Sequence, residues 1–238
     1  MSQEKSIRAI IWDYDGTLVD SRQKNLNVTR KIIEKVSGKE ANSFPLLQSV
    51  DIYHRVTMEM MNWREFYRDQ FQLTEDQIDE AGGLWSKFQL SDETPVTVFS
   101  GIHEVISSAG EFPQGIVSQN SKSNVMRQLE MEKLSEYFGS IIGYEEVALN
   151  NQKPHPEGLL KCMEQLFDMK EGNIFYIGDH ETDILCARNT NEALKDSRTN
   201  LNVITIGALY GTGTQTDNWS VQPDYVAQTV GDLLEYFC

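Results

Sequence analysis

Ile10-Ile11-Trp12-Asp13-Tyr14-Asp15-Gly16-Thr17 is the stretch from which the rest of this chain is best read. The apolar run from Ile7 to Trp12 reads as a buried strand, and it stops abruptly at two carboxylates two positions apart. Side chains at i and i+2 of an extended segment point the same way, so Asp13 and Asp15 can converge on one point. Such a pair suits a divalent cation, a shared proton, or both. Gly16 lets the backbone turn sharply or approach a ligand, and Thr17 adds a hydroxyl. Alone, the same residues also describe a strand running into an Asp-Gly turn. The remainder of the chain decides between the two.

Composition bounds the partners. Of 238 residues, 21 are Lys or Arg and 36 are Asp or Glu, a formal charge of −15. An acidic field predicts no nucleic acid and no membrane as partner, yet it leaves an anionic substrate open, since that needs only a local positive pocket. A hydrophobic content of 39% supports a real core, in one large α/β domain or a domain with an insertion. No apolar run approaches the roughly 18 residues of a membrane span. The polar start, Met1 to Ser6, lacks the apolar region of a signal peptide, so the expected localisation is cytoplasmic. Cys162, Cys186 and Cys238 are odd in number and far apart, which reads as reduced, packed thiols. His54, His103, His155 and His180 form no zinc-binding pattern.

Asp20 or Ser21 offers an N-cap for a helix carrying Val28, Ile32, Ile33 and Val36, which Gly38 stops. Helical spacing then predicts Leu46–Met61, Trp63–Phe71 and Thr74–Leu90, the last opened by the capping box Thr74-Glu75-Asp76-Gln77 and bent at Gly82-Gly83. Tyr53, Met58, Met61, Trp63, Phe66, Tyr67, Phe71 and Trp85 give this block its own core; a stripe of this kind is core rather than a cofactor box. Residues 20–92 therefore read as an inserted α-helical cap domain, and 1–19 with 93–238 as the main domain. From Val96 onward short strands alternate with helices. Strands are expected at Gly115–Val117, Ser140–Gly143, Asn173–Gly178, Val203–Ile206 and Asp224–Ala227, with helices at Lys122–Leu134, Pro156–Phe167 and from Asp179 to about Ala187. That order predicts an α/β fold with a doubly wound parallel sheet. Asn189–Asn202 reads as a polar surface excursion, and Tyr210–Thr214 as a mobile Gly-rich loop with only a weak dinucleotide signal.

Ligands of open parallel sheets sit outside the carboxyl ends of the strands. Four segments carry polar residues to that edge: Asp13 with Asp15, Ser118 with Gln119-Asn120, the loop of Lys153, and Asp179 with Asp183. The set is complete for phosphoryl transfer through a carboxylate. An aspartate nucleophile splits the hydrolysis into two displacements. Its repulsion from phosphate has to be offset by a lysine and a hard cation such as Mg²⁺. A second carboxyl protonates the leaving alkoxide and then deprotonates water.

These motifs resemble those of the haloacid dehalogenase (HAD) superfamily, in the branch with a helical cap inserted after the first motif, similar to phosphoglycolate phosphatases. Asp13-Tyr14-Asp15-Gly16-Thr17 matches its DxDGT motif. Ser118 follows an apolar strand as the second motif requires, Lys153 in Lys-Pro-His-Pro matches the third, and Gly178-Asp179-His180-Glu181-Thr182-Asp183 matches GDxxxD. The resemblance implies a HAD-like Rossmannoid core in which Asp13 is the nucleophile and Asp15 the general acid/base. The Asp13 side chain, the Asp15 main-chain carbonyl and Asp179 would hold Mg²⁺, supported by Asp183. Lys153 would neutralise Asp13 and the phosphate. Gly16, Thr17, Ser118, Gln119 and Asn120 would line the phosphate pocket, although close relatives often carry Asn directly where Gln119 stands.

The expected function is a Mg²⁺-dependent phosphatase acting on a small phosphorylated metabolite, as a monomer or weak homodimer. Asp15 argues against a dehalogenase, whose alkyl halide needs no protonated leaving oxygen. A phosphosugar mutase of the same fold shares both acids and stays open. A receiver-like signalling module would carry its acid pair and its phospho-accepting Asp on different strands and would lack the block 20–92. A non-catalytic binding protein would be expected to have lost Asp13, Asp15 or Lys153.

Overall fold

The strand β1 (Ile7–Trp12) is fully buried over its last four residues and ends where Asp13 begins. The computed structural model describes residues 7–168, 171–195, 197, 199–211 and 215–237. The chain forms two compact units, Met1–Asp20 with Val98–Cys238, and Ser21–Thr97. Its passages from one unit to the other fall at two short extended segments, β2 (Val19–Asp20) and β3 (Thr97–Val98).

Within the first unit, β1 is joined by β4 (Gln114–Val117), β5 (Phe138–Ile142), β6 (Glu171–Gly178), β7 (Asn200–Ala208) and β8 (Tyr225–Ala227). The sheet order is β5-β4-β1-β6-β7-β8, and every described pairing is parallel. The order runs away from β1 in both directions, so the carboxyl ends of β4, β1 and β6 meet at the point of reversal. The second unit holds α1 (Arg22–Ser37), α2 (Val50–Met58), α3 (Trp63–Phe71) and α4 (Glu75–Ser91). The first holds α5 (Ile102–Ser108), α6 (Lys122–Met131), α7 (Glu157–Leu166), α8 (Glu181–Lys195) and α9 (Asp232–Phe237).

Alternate residues of the central strands face opposite layers. Ala9 and Ile11 join Ile174, Tyr176 and Val203 in a core with Leu159 and Cys162 of α7 and Cys186 and Ala187 of α8. Trp12 packs edge-on against Phe237 of α9, ring centroids 6.1 Å apart. Its indole N–H donates to Gln114 Oε1 at 3.0 Å, and Gln114 Nε2 donates to the Ile106 carbonyl at 2.9 Å. One buried glutamine thus satisfies both a strand residue and the helix α5. Cys162 and Cys186 are buried free thiols, and burial pushes both up to about 12. Cys238 lies outside the described residues.

The second unit packs Leu26, Ile32 and Ile33 of α1 against Phe66, Tyr67, Phe71 and Ile78. Thr74 caps α4 through the capping box with Gln77, and Gln77 Nε2 also donates to the Val36 carbonyl at 2.9 Å, which ties the start of α4 to the end of α1.

Three expectations are corrected. The helix expected over Leu46–Met61 is a 3₁₀ turn, Pro45–Leu47, followed by α2, because Ser49 is extended and acts as the N-cap of a new helix. The tract after Ala187 is not an excursion: α8 continues to Lys195. Thr190 bonds back to the Cys186 carbonyl at 2.8 Å, and Asn191 pairs with both the N–H and the carbonyl of Val203 at 2.8 Å. Finally, α4 runs through Gly82-Gly83 as one helix; Gly82 is needed because the Trp63 ring lies 2.8 Å from where a Cβ would stand.

Replacing Gln114 with Leu leaves the Trp12 N–H and the Ile106 carbonyl buried without partners. The expected loss is about 1–3 kcal/mol, seen as a lower urea midpoint at unchanged slope. An unchanged midpoint would show that this bridge does not contribute to stability.

Candidate active site

The register of β1 against β6 carries past the strand end: the Asp13 N–H donates to the Ile177 carbonyl at 2.7 Å. The chain then folds back on itself, with the N–H groups of Leu18 and Val19 on the Tyr14 carbonyl (2.9 and 3.2 Å) and that of Gly16 on the Val19 carbonyl (2.9 Å). Into the space beside Asp13 comes Lys153. Its ammonium is 2.5 Å from Asp13 Oδ1 and 2.6 Å from Asp183 Oδ1, and all three side chains are buried. It also lies over the Tyr176 ring, 5.4 Å from the centroid. The Tyr176 hydroxyl donates to Asp183 Oδ1 at 3.0 Å, and the His180 N–H to Asp183 Oδ2 at 3.1 Å. Three side chains fix the loop that bears the lysine. Gln119 Nε2 donates to the Lys153 carbonyl (3.3 Å), Asn189 Nδ2 to that of Pro154 (2.8 Å) and the Cys186 thiol to that of His155 (3.4 Å).

Asp13, Asp179 and Asp183 can each place a carboxylate oxygen within 4.8 Å of the others. Three acids thus face one ammonium. Burial pushes Asp13 up to about 7, against the pull of Lys153 and with Asp183 and Asp15 adding to the rise. Burial also holds Asp179 well above the usual carboxylate range, with Asp13 and Asp183 adding to it. For Lys153 burial acts downward, yet the attraction of Asp13 and Asp183 outweighs it and the ammonium is held above its ordinary value. An all-oxygen donor set short of positive charge fits a hard divalent cation. Gly16 completes the cradle: with φ at +83°, its Cβ would stand 2.0 Å from Asp179 Oδ2, so only glycine lets the loop meet that acid.

The sequence-predicted residues are brought together, with adjustments. The Asp15 carboxylate is not part of the acidic trio; its Oδ2 accepts a hydrogen bond from Asn120 Nδ2 at 3.0 Å. Ser118 is held by its N–H on the Ile142 carbonyl (2.9 Å), and its Oγ accepts the Asn120 N–H (2.9 Å), so its own proton is available to donate. Gln119 and Asn120, expected to line the phosphate pocket, turn their side-chain amides to the Lys153 carbonyl and to Asp15. Thr17 is fully buried, and its hydroxyl has no hydrogen-bond partner among the described residues.

Sequence reasoning missed Tyr176, Asn189 and Tyr210. Tyr176 sits in an apolar strand run and reads as core. Tyr210 opens the Gly-rich stretch; its hydroxyl donates to the Thr17 carbonyl at 2.8 Å, and its ring packs on Phe99 at 5.8 Å. It is a brace for the Asp13–Thr17 loop. Thr212, Gly213 and Thr214 of that stretch lie outside the described residues.

The family described as haloacid dehalogenase-like hydrolase matches residues 10–194. The chain is 26% identical over 236 residues to the pyrophosphatase PpaX of Listeria monocytogenes, covering 96% of this chain and 95% of that one. It is 27% identical over 240 residues to the phosphoglycolate phosphatase of Photorhabdus laumondii, covering 97% and 92%. Among solved structures, a haloacid dehalogenase-like family protein of Streptococcus pneumoniae has a TM-score of 0.69 at 22% identity, covering 98% and 99%. A HAD-superfamily hydrolase of Geobacter sulfurreducens has a TM-score of 0.63 at 21% identity, covering 100% and 99%. These two likenesses are likenesses of fold.

The raised Asp13 makes stability depend on pH. Its carboxyl rises from 3.8 to about 7 on folding, so the folded state holds that proton more tightly. The contribution is fully present below about 4 and is lost as the pH climbs through about 7. With divalent cations chelated, the Tm of wild type should therefore fall relative to that of Asp13→Asn as pH rises over this range. A constant difference would mean that Asp13 titrates alike in both states.

Proposed function

As a member of the haloacid dehalogenase-like hydrolase family this chain is a hydrolase, and we propose that it is a Mg²⁺-dependent phosphatase releasing phosphate from a small phosphorylated metabolite by way of an aspartyl-phosphate on Asp13. The observation that carries this reading is the Asp13–Lys153 contact of 2.5 Å inside a buried trio of acids, a nucleophile and a cation held together where phosphate has to be approached. Asp13, Asp179 and the Asp15 carbonyl, with Asp183 behind them, are the groups to hold Mg²⁺, which when bound supplies positive charge against the phosphoryl oxygens. An Asp13 oxygen attacks phosphorus as the bond to the leaving oxygen breaks; that oxygen takes the electron pair and the proton of Asp15. Water then attacks the aspartyl-phosphate and gives its proton to the Asp15 carboxylate, while the bond to Asp13 breaks and its electron pair returns to the carboxylate. Lys153 neutralises Asp13 and the incoming phosphate, and the Ser118 hydroxyl donates to a phosphoryl oxygen.

The names of the two curated relatives, a pyrophosphatase and a phosphoglycolate phosphatase, support a small phosphate ester or anhydride as substrate. The helical unit, Ser21–Thr97, is proposed as the cap that selects it. No helix among the described residues is long and apolar enough to cross a membrane, and the charge of −15 fits action in the cytoplasm without nucleic acid, as a monomer or weak homodimer.

Phosphate release from p-nitrophenyl phosphate with Mg²⁺ should vanish in Asp13→Asn with the circular-dichroism spectrum preserved; full activity there would refute the nucleophile assignment. Asp15→Asn should slow turnover by about 10²–10⁴-fold. In thermal melts, Mg²⁺ should raise the Tm of wild type and leave Asp179→Asn nearly unmoved. Equal shifts in both proteins would remove Asp179 from the cation site.

A further inference from the structure

We propose that Asn120 is a positioning residue for the proton transfer of Asp15: it fixes Oδ2 of that carboxyl as a hydrogen-bond acceptor and so assigns the transferable proton to Oδ1. The inference rests on the phosphatase reading and names a residue that the four motifs leave without this role.

The orientation of the Asn120 amide follows from its partners. The Ser121 backbone N–H donates to Asn120 Oδ1 at 2.8 Å, and a backbone nitrogen can only donate, which identifies that end of the amide as oxygen. Asn124 Nδ2 adds a second donor to the same oxygen at 3.3 Å. The NH₂ end is therefore the one that lies 3.0 Å from Asp15 Oδ2. The Asn120 main-chain N–H is bound to Ser118 Oγ at 2.9 Å, which ties the residue to the loop after β4, and its side chain is almost wholly buried. The donor is held in place before any substrate arrives.

A protonated carboxyl has one hydroxyl and one carbonyl oxygen, and an amide N–H prefers the carbonyl. With Oδ2 taken by Asn120, the hydroxyl falls on Oδ1. In the first displacement Oδ1 gives its proton to the leaving oxygen, which has kept the electron pair of the broken P–O bond. In the second, the lone pair of Oδ1 accepts a proton from the attacking water. The Asn120 bond to Oδ2 persists through both steps, so the carboxyl need not rotate between its two tasks.

The test is single-turnover release of the phenol from a graded series, p-nitrophenyl, phenyl and p-methoxyphenyl phosphate, with Mg²⁺ and enzyme in excess. A p-nitrophenolate leaves with little help from an acid; p-methoxyphenolate needs the proton. Asn120→Ala should slow p-nitrophenol release by less than about 3-fold and p-methoxyphenol release by about 10-fold or more, with half-saturation unchanged. Asn120→Leu keeps more of the volume without the donor and serves if the alanine variant does not fold; it should steepen the same dependence. A uniform loss across the series in an active, folded variant would overturn the inference and leave the phosphatase reading standing. A wild-type enzyme that releases no phenol from any of the three would overturn both.

Discussion

Three carboxylates are buried around a single ammonium at the end of β1, and most of what surrounds them follows from that imbalance. Moving an ion out of water costs several kcal/mol even after relaxation, so Asp13, Asp179 and Asp183 cannot be sustained by Lys153 alone. The fold answers with donors aimed at specific oxygens. Tyr176 and the His180 N–H reach Asp183, and the face of the Tyr176 ring lies beneath Lys153. The rest of the deficit is expressed as the displaced titration of Asp13 and Asp179. The site therefore draws on stability supplied elsewhere, above all by the parallel pairing of β1 with β4 and β6 and the apolar layers on either face.

The scaffold is built so that the chemical groups arrive from four separate segments of the chain and are then tied to their neighbours by further side chains. Gln119 and Asn189 hold the Lys153 loop, Tyr210 braces the Asp13–Thr17 loop, and Asn120 connects the loop after β4 to Asp15. Such cross-links are short-range and directional, in contrast to the apolar core that sets the strands in register. Precision at the level of a hydrogen bond is added on top of an architecture that packing alone would place less exactly.

What was legible in the sequence was whatever depends on local pattern. Trp63–Phe71 and the capped start of α4 could be read because amphipathic spacing and a capping box are properties of neighbouring residues. The carboxyl-end cluster could be read because strand ends and polar residues coincide in the chain. The continuation of α8 to Lys195 could not. Asn191 looks like a surface residue until the Val203 backbone, twelve positions away, is found on both ends of its amide. The same holds for Tyr176, whose neighbours in sequence are apolar while its hydroxyl meets an acid on the following helix. Asn120 was placed on the correct edge, but its bond to Asp15 was not legible, since nothing within the loop itself points toward a residue 105 positions earlier.

The closeness of Gly16 to Asp179 sets an unusual rule for what the first loop can become. At a positive φ, asparagine is the common substitute for glycine, because the backbone alone tolerates it. Here a second obstacle is added to the torsion: the Asp179 carboxylate lies 2.0 Å from where a Cβ would stand, so a residue that could adopt the backbone angle still meets that acid. Position 16 and position 179 are in effect a single steric unit. A lineage that enlarged the first would have to shorten or withdraw the second, and would lose one of the three clustered buried acids in the act of changing its loop.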